Sequence, residues 1–231
     1  MPDQRSNIFS APRSRVVATI SSPAGWQQAL ALETNSVDLL EVRLDLLLAD
    51  ETALPGPLTD LPLPILLTVR GPGEGGRGPA EEADRLTLYR LHLPHIAALD
   101  LELASAATGG ALLAEAKEAG VAIVLSIHNF ETTPPVEELE MKARRAAQVG
   151  ADIFKVATTT NTVPELIALL TWFDAPHPLP LAAMGMGRLG KISRPLLAQL
   201  GSQLNYGYLD HAVVTGQWPA AELRRFLNEL S

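Results

Sequence analysis

The sequence predicts a single-domain α/β protein built as a (β/α)8 TIM barrel, and three observations carry that prediction. Short apolar runs rich in Val, Ile and Leu alternate with longer runs of helical period, eight of each. Strict alternation implies right-handed crossovers, and therefore a parallel sheet covered by helices. The length of 231 residues suits eight such units near the lower size limit of a closed barrel, for which about 250 residues is typical. An open doubly wound sheet is the rival architecture. No linker divides the chain, so residues 15–231 are expected to form one domain behind a loose N-terminal arm over residues 1–14.

In chain order, RVVATI (15–20) reads as a strand and is followed by the helical GWQQALALE (25–33). DLLEVRLD (38–45) is the second strand, and its helix, near 50–60, is weak because Pro55, Gly56, Pro57 and Pro62 interrupt it. ILLTVR (65–70) precedes the helix EEADRLTLYRLHL (81–93), and ALDLEL (98–103) precedes GGALLAEAKEAG (109–120). AIVLSIH (122–128) and VEELEMKARRAAQVG (136–150) form the fifth unit, DIFKVAT (152–158) and VPELIALLTWF (163–173) the sixth. LPLAAMG (179–185) with SRPLLAQLG (193–201), then LNYGYLDH (204–211) with AAELRRFLNEL (220–230), complete the set.

Composition excludes several function classes. Hydrophobic residues make up 47% and charged residues 19%, ordinary values for a globular chain with a sizeable core. There is no cysteine, so disulfides, thiol nucleophiles and thiolate metal sites are ruled out. A formal charge of -8 without a basic block argues against nucleic acid or an anionic membrane as partner. An anionic small molecule would need a local basic pocket. The N-terminus lacks an apolar signal core, and no run is long enough to span a membrane, so a soluble cytoplasmic protein is expected. A homodimer is one option for the assembly, and nothing in the sequence decides it.

A barrel of this type keeps its chemistry at the C-terminal ends of the strands. Polar residues recur there: Glu41, Arg43 and Asp45 in the second unit, Arg70 and Glu74 in the third, Asp100 and Glu102 in the fourth, His128 in the fifth, Lys155 in the sixth, Arg188 and Arg194 in the seventh, Gln217 in the eighth. In EVR, DLE and LSIH they alternate with apolar residues, which puts each polar set on one face of its strand.

Lys155 is the residue that most needs a reason. An ammonium in an apolar strand either finds a carboxylate, with Glu102 or Glu41 as structural partners, or tends toward the neutral amine that attacks carbonyls. His128, ending the neighbouring strand, is the candidate proton carrier. His92, His95, His177 and His211 read as structural or solvated. Arg43, Arg70 and Arg194 suit a cationic pocket for a carboxylate or hydroxyls, whereas Arg188 and Lys191 read as surface charges. Glu74 lies in GPGEGGRG, a glycine-rich loop able to bend closely around a ligand. GMGRLG at 185–190 spells a dinucleotide fingerprint, with Asp210 beyond it, yet it sits in the seventh unit instead of opening a βαβ domain, and it leaves Lys155 unexplained. No pattern has good metal-ligand spacing.

Seven motifs in order, EVRLD (41–45), TVR followed by EGG (68–76), DLEL (100–103), SIHNF (126–130), FKVAT (154–158), MGMGRLGKISR (184–194) and GQW (216–218), resemble type I 3-dehydroquinate dehydratase. The resemblance runs from about Val16 to the C-terminus. It implies a cofactor-free loss of water from 3-dehydroquinate to give 3-dehydroshikimate in the shikimate pathway. Lys155 resembles the lysine that forms an imine with the substrate ketone, His128 the general base and acid, and Glu74 the carboxylate that orients it. Glu41, Arg43 and Arg70 resemble hydroxyl-binding and lysine-flanking groups, with Arg43 expected to disfavour a second positive charge on Lys155. Arg194 and Gln217 resemble the clamp on the substrate carboxylate. One position departs from the pattern: where family members commonly have a serine four residues before the glutamine, this chain has Val213. Weaker substrate binding is the expected consequence. A Schiff-base lyase or aldolase acting on another hydroxylated keto acid, and a non-catalytic barrel that binds a small carboxylate, are the alternatives.

Overall fold

The computed structural model describes residues 8–9, 13–49 and 53–230. Most of the expected N-terminal arm and the start of the weak second helix lie outside the described residues. Eight strands form the wall: β1 (Arg15–Ile20), β2 (Leu39–Arg43), β3 (Ile65–Thr68), β4 (Ala98–Glu102), β5 (Ala122–Asn129), β6 (Ile153–Thr159), β7 (Leu181–Met186) and β8 (Leu204–Tyr208). The helices between and after them are α1 (Pro23–Leu30), α2 (Leu44–Leu47), α3 (Glu82–His92), α4 (Gly110–Glu118), α5 (Val136–Val149), α6 (Val163–Asp174), α7 (Gly190–Gln199) and α8 (Ala220–Glu229). A two-residue strand, β9 (Trp218–Pro219), pairs with β8.

All ladders are parallel, in the order β7-β6-β5-β4-β3-β2-β1-β8-β9. Where β7 faces β8, the wall is joined by Gln203 N–H donating to the Leu181 carbonyl at 2.9 Å and by Ala183 N–H donating to Ser202 Oγ at 3.1 Å. The fold is the predicted TIM-type α/β barrel in a single domain. Among the described residues no helix is long and apolar enough to cross a membrane.

Several boundaries differ from the sequence-based expectation. The second strand stops at Arg43, and Leu44–Leu47 turns at once into a short helix. Instead of a helix near 50–60, the described part holds a single 3-10 turn at Leu58–Asp60, as expected of a proline-broken segment. β3 ends at Thr68 because the next amide, Val69 N–H, bonds to the Tyr89 hydroxyl at 2.8 Å and not to a neighbouring strand. Helix α7 begins at Gly190, three residues before the predicted start, and carries Pro195 within it. β8 ends at Tyr208, so Asp210 and His211 belong to the following loop, where Asp210 accepts from Ser22.

Strand period two divides the barrel into two apolar clusters. Outward residues such as Val16, Leu40, Leu67, Leu99, Leu125 and Phe154 pack beneath the helices. Inward, the lower layer is apolar: Val17, Leu39, Leu66, Ala98, Val124, Ile153, Ala182 and Leu204 close the bottom of the barrel. Ile8 and Phe9 pack against that inner cluster, with the Arg15 guanidinium 5.3 Å from the Phe9 ring centroid. On the outside, Trp172 of α6 is fully buried and meets Phe154 edge to face at 6.3 Å, which fixes the back of the strand carrying Lys155.

Tyr89 of α3 reaches through to the sheet, accepting from Val69 N–H and donating to the Asp100 carbonyl. Tyr89→Phe removes the partner of both buried backbone groups, and we expect a loss of about 1–3 kcal/mol in urea unfolding. An unchanged unfolding midpoint would contradict this account.

Candidate active site

One layer above the apolar floor, the same inward parity presents Thr19, Glu41, Thr68, Asp100, Ser126, Lys155 and Tyr206. All of them are buried. So many polar groups are tolerated in a barrel interior because all of them but the Tyr206 hydroxyl find partners within the layer. Lys155 Nζ donates to Asp100 Oδ2 at 2.7 Å and lies 3.6 Å from Glu41 Oε1. It also sits over the Tyr206 ring, 4.0 Å from the centroid. The partner expected from sequence was Glu102 or Glu41. Glu102 instead accepts from Gly71 N–H at 2.8 Å, and the close carboxylate is Asp100.

Asp100 is shared. Its Oδ1 accepts from Arg70 Nη2 at 2.8 Å and from Ser126 Oγ at 2.6 Å, while Arg70 Nη1 donates to Ser126 Oγ at 2.8 Å. Burial opposes ionisation of Asp100, but Arg70 and Lys155 outweigh it and hold the carboxyl well below the usual range. Burial likewise works against the Arg70 charge, and Asp100 overcomes it and raises the group above its ordinary value. Glu41 accepts from the Thr19 hydroxyl at 2.8 Å and the Thr68 hydroxyl at 3.0 Å, one on each oxygen.

The rim of the site comes from strand ends and loops. His128, at the end of β5, places Nδ1 2.8 Å from Glu74 Oε2. Glu74 closes a 3-10 turn, Pro72–Glu74, and the chain then turns through Gly75 at φ 74, a left-handed conformation favouring glycine. A Cβ there would also lie 2.5 Å from Phe130, whose ring stacks on His128. The glycine-rich loop is thereby folded back to set Glu74 against the histidine.

Burial, followed by Arg70 and Lys155, lowers His128 well below the ordinary 6.5, so the ring is neutral near pH 7. Burial raises Glu74 to about 7 against the pull of Arg70, 3.8 Å away. With Nδ1–H donated to the Glu74 carboxylate, Nε2 keeps its lone pair and can act as a base.

Arg43 forks onto Asp45 at 2.9 and 2.7 Å. Its fork is therefore held by a carboxylate two residues on, a partner that the sequence reading did not assign. Arg194 of α7 is buried and donates to the carbonyls of Gly216 at 3.1 Å and Tyr206 at 3.0 Å, and burial lowers it to about 10, so it stays cationic at neutral pH. Gln217 Oε1 accepts from Val213 N–H at 3.0 Å.

The glycines of GMGRLG serve this corner: Gly187, at φ 77, donates its N–H to the Thr215 carbonyl at 2.9 Å and brings the loop after β7 against the loop after β8. Their spacing reflects loop packing around Arg194, with no need of a dinucleotide.

All eight residues proposed from sequence, Glu41, Arg43, Arg70, Glu74, His128, Lys155, Arg194 and Gln217, line one cavity of about 110 Å³ at the C-terminal mouth. Arg188 and Lys191 are exposed and do not line it. Nor do His92, His95, His177 or His211. Sequence reasoning assigned no role to Asp100, Ser126 or Tyr206. The alternation in DLE, LSIH and NYGY was the available signal, since it gives each of them the inward parity. A wider cleft of about 680 Å³ runs along the outer face of α5 between Leu103, Glu137, Met141 and Arg145, and contains none of these groups.

Comparison with known proteins places this site in a family. The model of the type I 3-dehydroquinase family matches residues 19–231. The chain is 34% identical over 216 residues to the 3-dehydroquinate dehydratase of Thermococcus gammatolerans, covering 92% of this chain and 97% of that protein. It is 32% identical over 225 residues to the catabolic 3-dehydroquinate dehydratase of Acinetobacter baylyi, covering 92% and 83%. Among solved structures, the 3-dehydroquinate dehydratase of Geobacillus kaustophilus superposes with a TM-score of 0.84 at 26% identity, over 94% of this chain and 91% of that one. The enzyme of Aquifex aeolicus does so with a TM-score of 0.80 at 28% identity, over 93% and 97%. With its barrel, its strand-end residues and a match over nearly its whole length, the chain belongs to the type I 3-dehydroquinase family.

Proposed function

We propose that this chain is a hydro-lyase that converts 3-dehydroquinate to 3-dehydroshikimate and water through an imine on Lys155, with His128 as general base and acid. The observation that carries the reading is the pairing of Lys155 with a neutral histidine whose Nε2 is free, on adjacent strands in register (Ser126 with Lys155, His128 with Ala157) and facing one cavity. Family membership and the relatives' activity support it.

Lys155 Nζ attacks the substrate ketone, and water leaves. The protonated imine withdraws electrons, so the neighbouring C–H becomes acidic enough for an imidazole. His128 Nε2 takes that proton, the electron pair moves toward the imine nitrogen, and collapse back expels the β-hydroxyl. The same histidine returns its proton to that oxygen as it leaves. Glu74 fixes the tautomer, and hydrolysis of the product imine restores Lys155.

Arg194 and Gln217 suit the substrate carboxylate. Arg194 is anchored by two backbone carbonyls, and the Val213 amide occupies Gln217 Oε1, which leaves the Gln217 NH2 to donate. Val213 thus contributes its main chain where the family pattern has a serine side chain. Glu41, Arg43 and Arg70 complete the wall around the ring hydroxyls.

Incubation with 3-dehydroquinate should yield a conjugated, ultraviolet-absorbing product, and borohydride added during turnover should leave a substrate-derived mass on Lys155. Absence of both would refute the reading. His128→Ala should slow turnover by about 10²- to 10⁴-fold while the Lys155 adduct still forms, and full activity in that variant would remove the assigned base.

The Glu74 carboxyl, raised to about 7, sets a pH dependence. As pH falls through that value Glu74 takes a proton and loses the negative charge that makes it a strong acceptor for Nδ1–H, so kcat/KM should decline on the acid side with a midpoint near 7. Glu74→Gln should be slower and lack that limb. A wild-type profile that stays flat down to about pH 5.5 would contradict the role of Glu74.

A further inference from the structure

Within the polar layer, one group stands apart. Glu41 has both oxygens taken by Thr19 and Thr68, and Asp100 has both taken by Lys155, Arg70 and Ser126. Tyr206 Oη, by contrast, is buried and has no hydrogen-bond partner. Among the described residues whose buried side-chain polar atoms lack a partner, Tyr206 is the one that lines the cavity. A buried hydroxyl without a partner is a cost to the fold, and such groups are uncommon. The cost is understandable if the partner arrives with the substrate.

The position of the hydroxyl indicates which substrate atom that partner would be. Lys155 Nζ lies over the Tyr206 ring, 4.0 Å from its centroid. The phenol oxygen is one ring radius and one C–O bond away from that centroid. An oxygen borne on the carbon that Nζ attacks can therefore be placed within hydrogen-bond reach of Oη. Neither neighbouring carboxylate accepts from the phenol, whose proton is left without an acceptor. Burial, together with Glu41 and Asp100, keeps the phenol protonated, well above its ordinary range. Arg194 donates to the Tyr206 carbonyl at 3.0 Å and holds the residue from behind.

We propose that Tyr206 is a further catalytic residue, whose hydroxyl donates a hydrogen bond to the substrate oxygen on the carbon attacked by Lys155. In the step, the N–C bond forms and the carbonyl π pair moves onto oxygen, where the phenol stabilises the developing charge. One of the three ammonium protons of Lys155 leaves Nζ to free its lone pair as the N–C bond forms and passes to that oxygen; a second follows it there, so the oxygen departs as water, and the third stays on the imine nitrogen. Tyr206 ends the step with its own proton. The inference rests on the proposed imine mechanism and adds to it the group that stabilises formation of the carbinolamine.

Tyr206→Phe keeps the ring beneath Lys155 and removes only the hydroxyl. Rapid-quench borohydride trapping with saturating 3-dehydroquinate reads the rate at which Lys155 is modified, and urea unfolding reads stability. The expected result is a fall of about 100-fold in that rate, in the range seen for loss of one oxyanion donor, with stability unchanged or higher because a buried unpaired hydroxyl has gone. Trapping at the wild-type rate would overturn the proposal. So would a loss confined to KM, since the hydroxyl would then serve binding alone. The wild-type control separates the two levels of inference: no adduct on wild-type Lys155 overturns the imine reading itself, whereas a normal wild-type adduct with an unaffected variant overturns only the role of Tyr206.

Discussion

The interior of this barrel depends on Asp100. Its carboxylate is fully buried and joins Lys155 from β6, Arg70 from just beyond β3 and Ser126 from β5. Taking two cations and a carboxylate out of water is expensive, and the cost is offset only when every lone pair and proton is matched at good geometry. Here both Asp100 oxygens are matched, and Lys155 adds Glu41 at 3.6 Å and the Tyr206 ring to its bond with Asp100. The two carboxylate oxygens serve three donors, Ser126 relays between Arg70 and Asp100, and Tyr89 secures the Asp100 backbone from the helix side. The network adds little net stability by itself. Its effect is to give Lys155 a single position on the cavity wall.

The rest of the site is arranged by charge around that knot. Arg70 faces Asp100 on one side and Glu74 on the other, so one guanidinium links the carboxylate that holds Lys155 to the carboxylate that holds His128. The same positive charge, with burial, keeps His128 neutral. Close backbone packing completes the mouth. Gly75 and Gly187 let two loops fold back onto the strand ends, bringing Glu74 to His128 and the Val213–Gln217 segment to Arg194.

Much of this was legible in the chain. Strand and helix order follow from local hydrophobic period, and all eight strands lie where the apolar runs are. The eight predicted site residues line one cavity because residue type at a strand end is itself a local property. Errors gathered where a distant partner decides a boundary. Arg70 was read as a strand residue, but β3 ends two residues earlier because Tyr89 of α3 takes the Val69 amide. The glycine pattern at 185–190 could be read as a nucleotide motif until the Thr215 carbonyl showed what it packs against.

The sequence alone determined the fold class, the mouth at which chemistry gathers and the residue types that furnish it, since period and strand-end position are set by neighbours along the chain. Only the tertiary structure decided which carboxylate holds Lys155, that the Arg43 fork is held by Asp45, and that the Tyr206 hydroxyl is left without a partner. The central facts among these depend on closure of the barrel. Closure brings β4, β6 and β8 together across the interior, at distances that their positions along the chain do not encode.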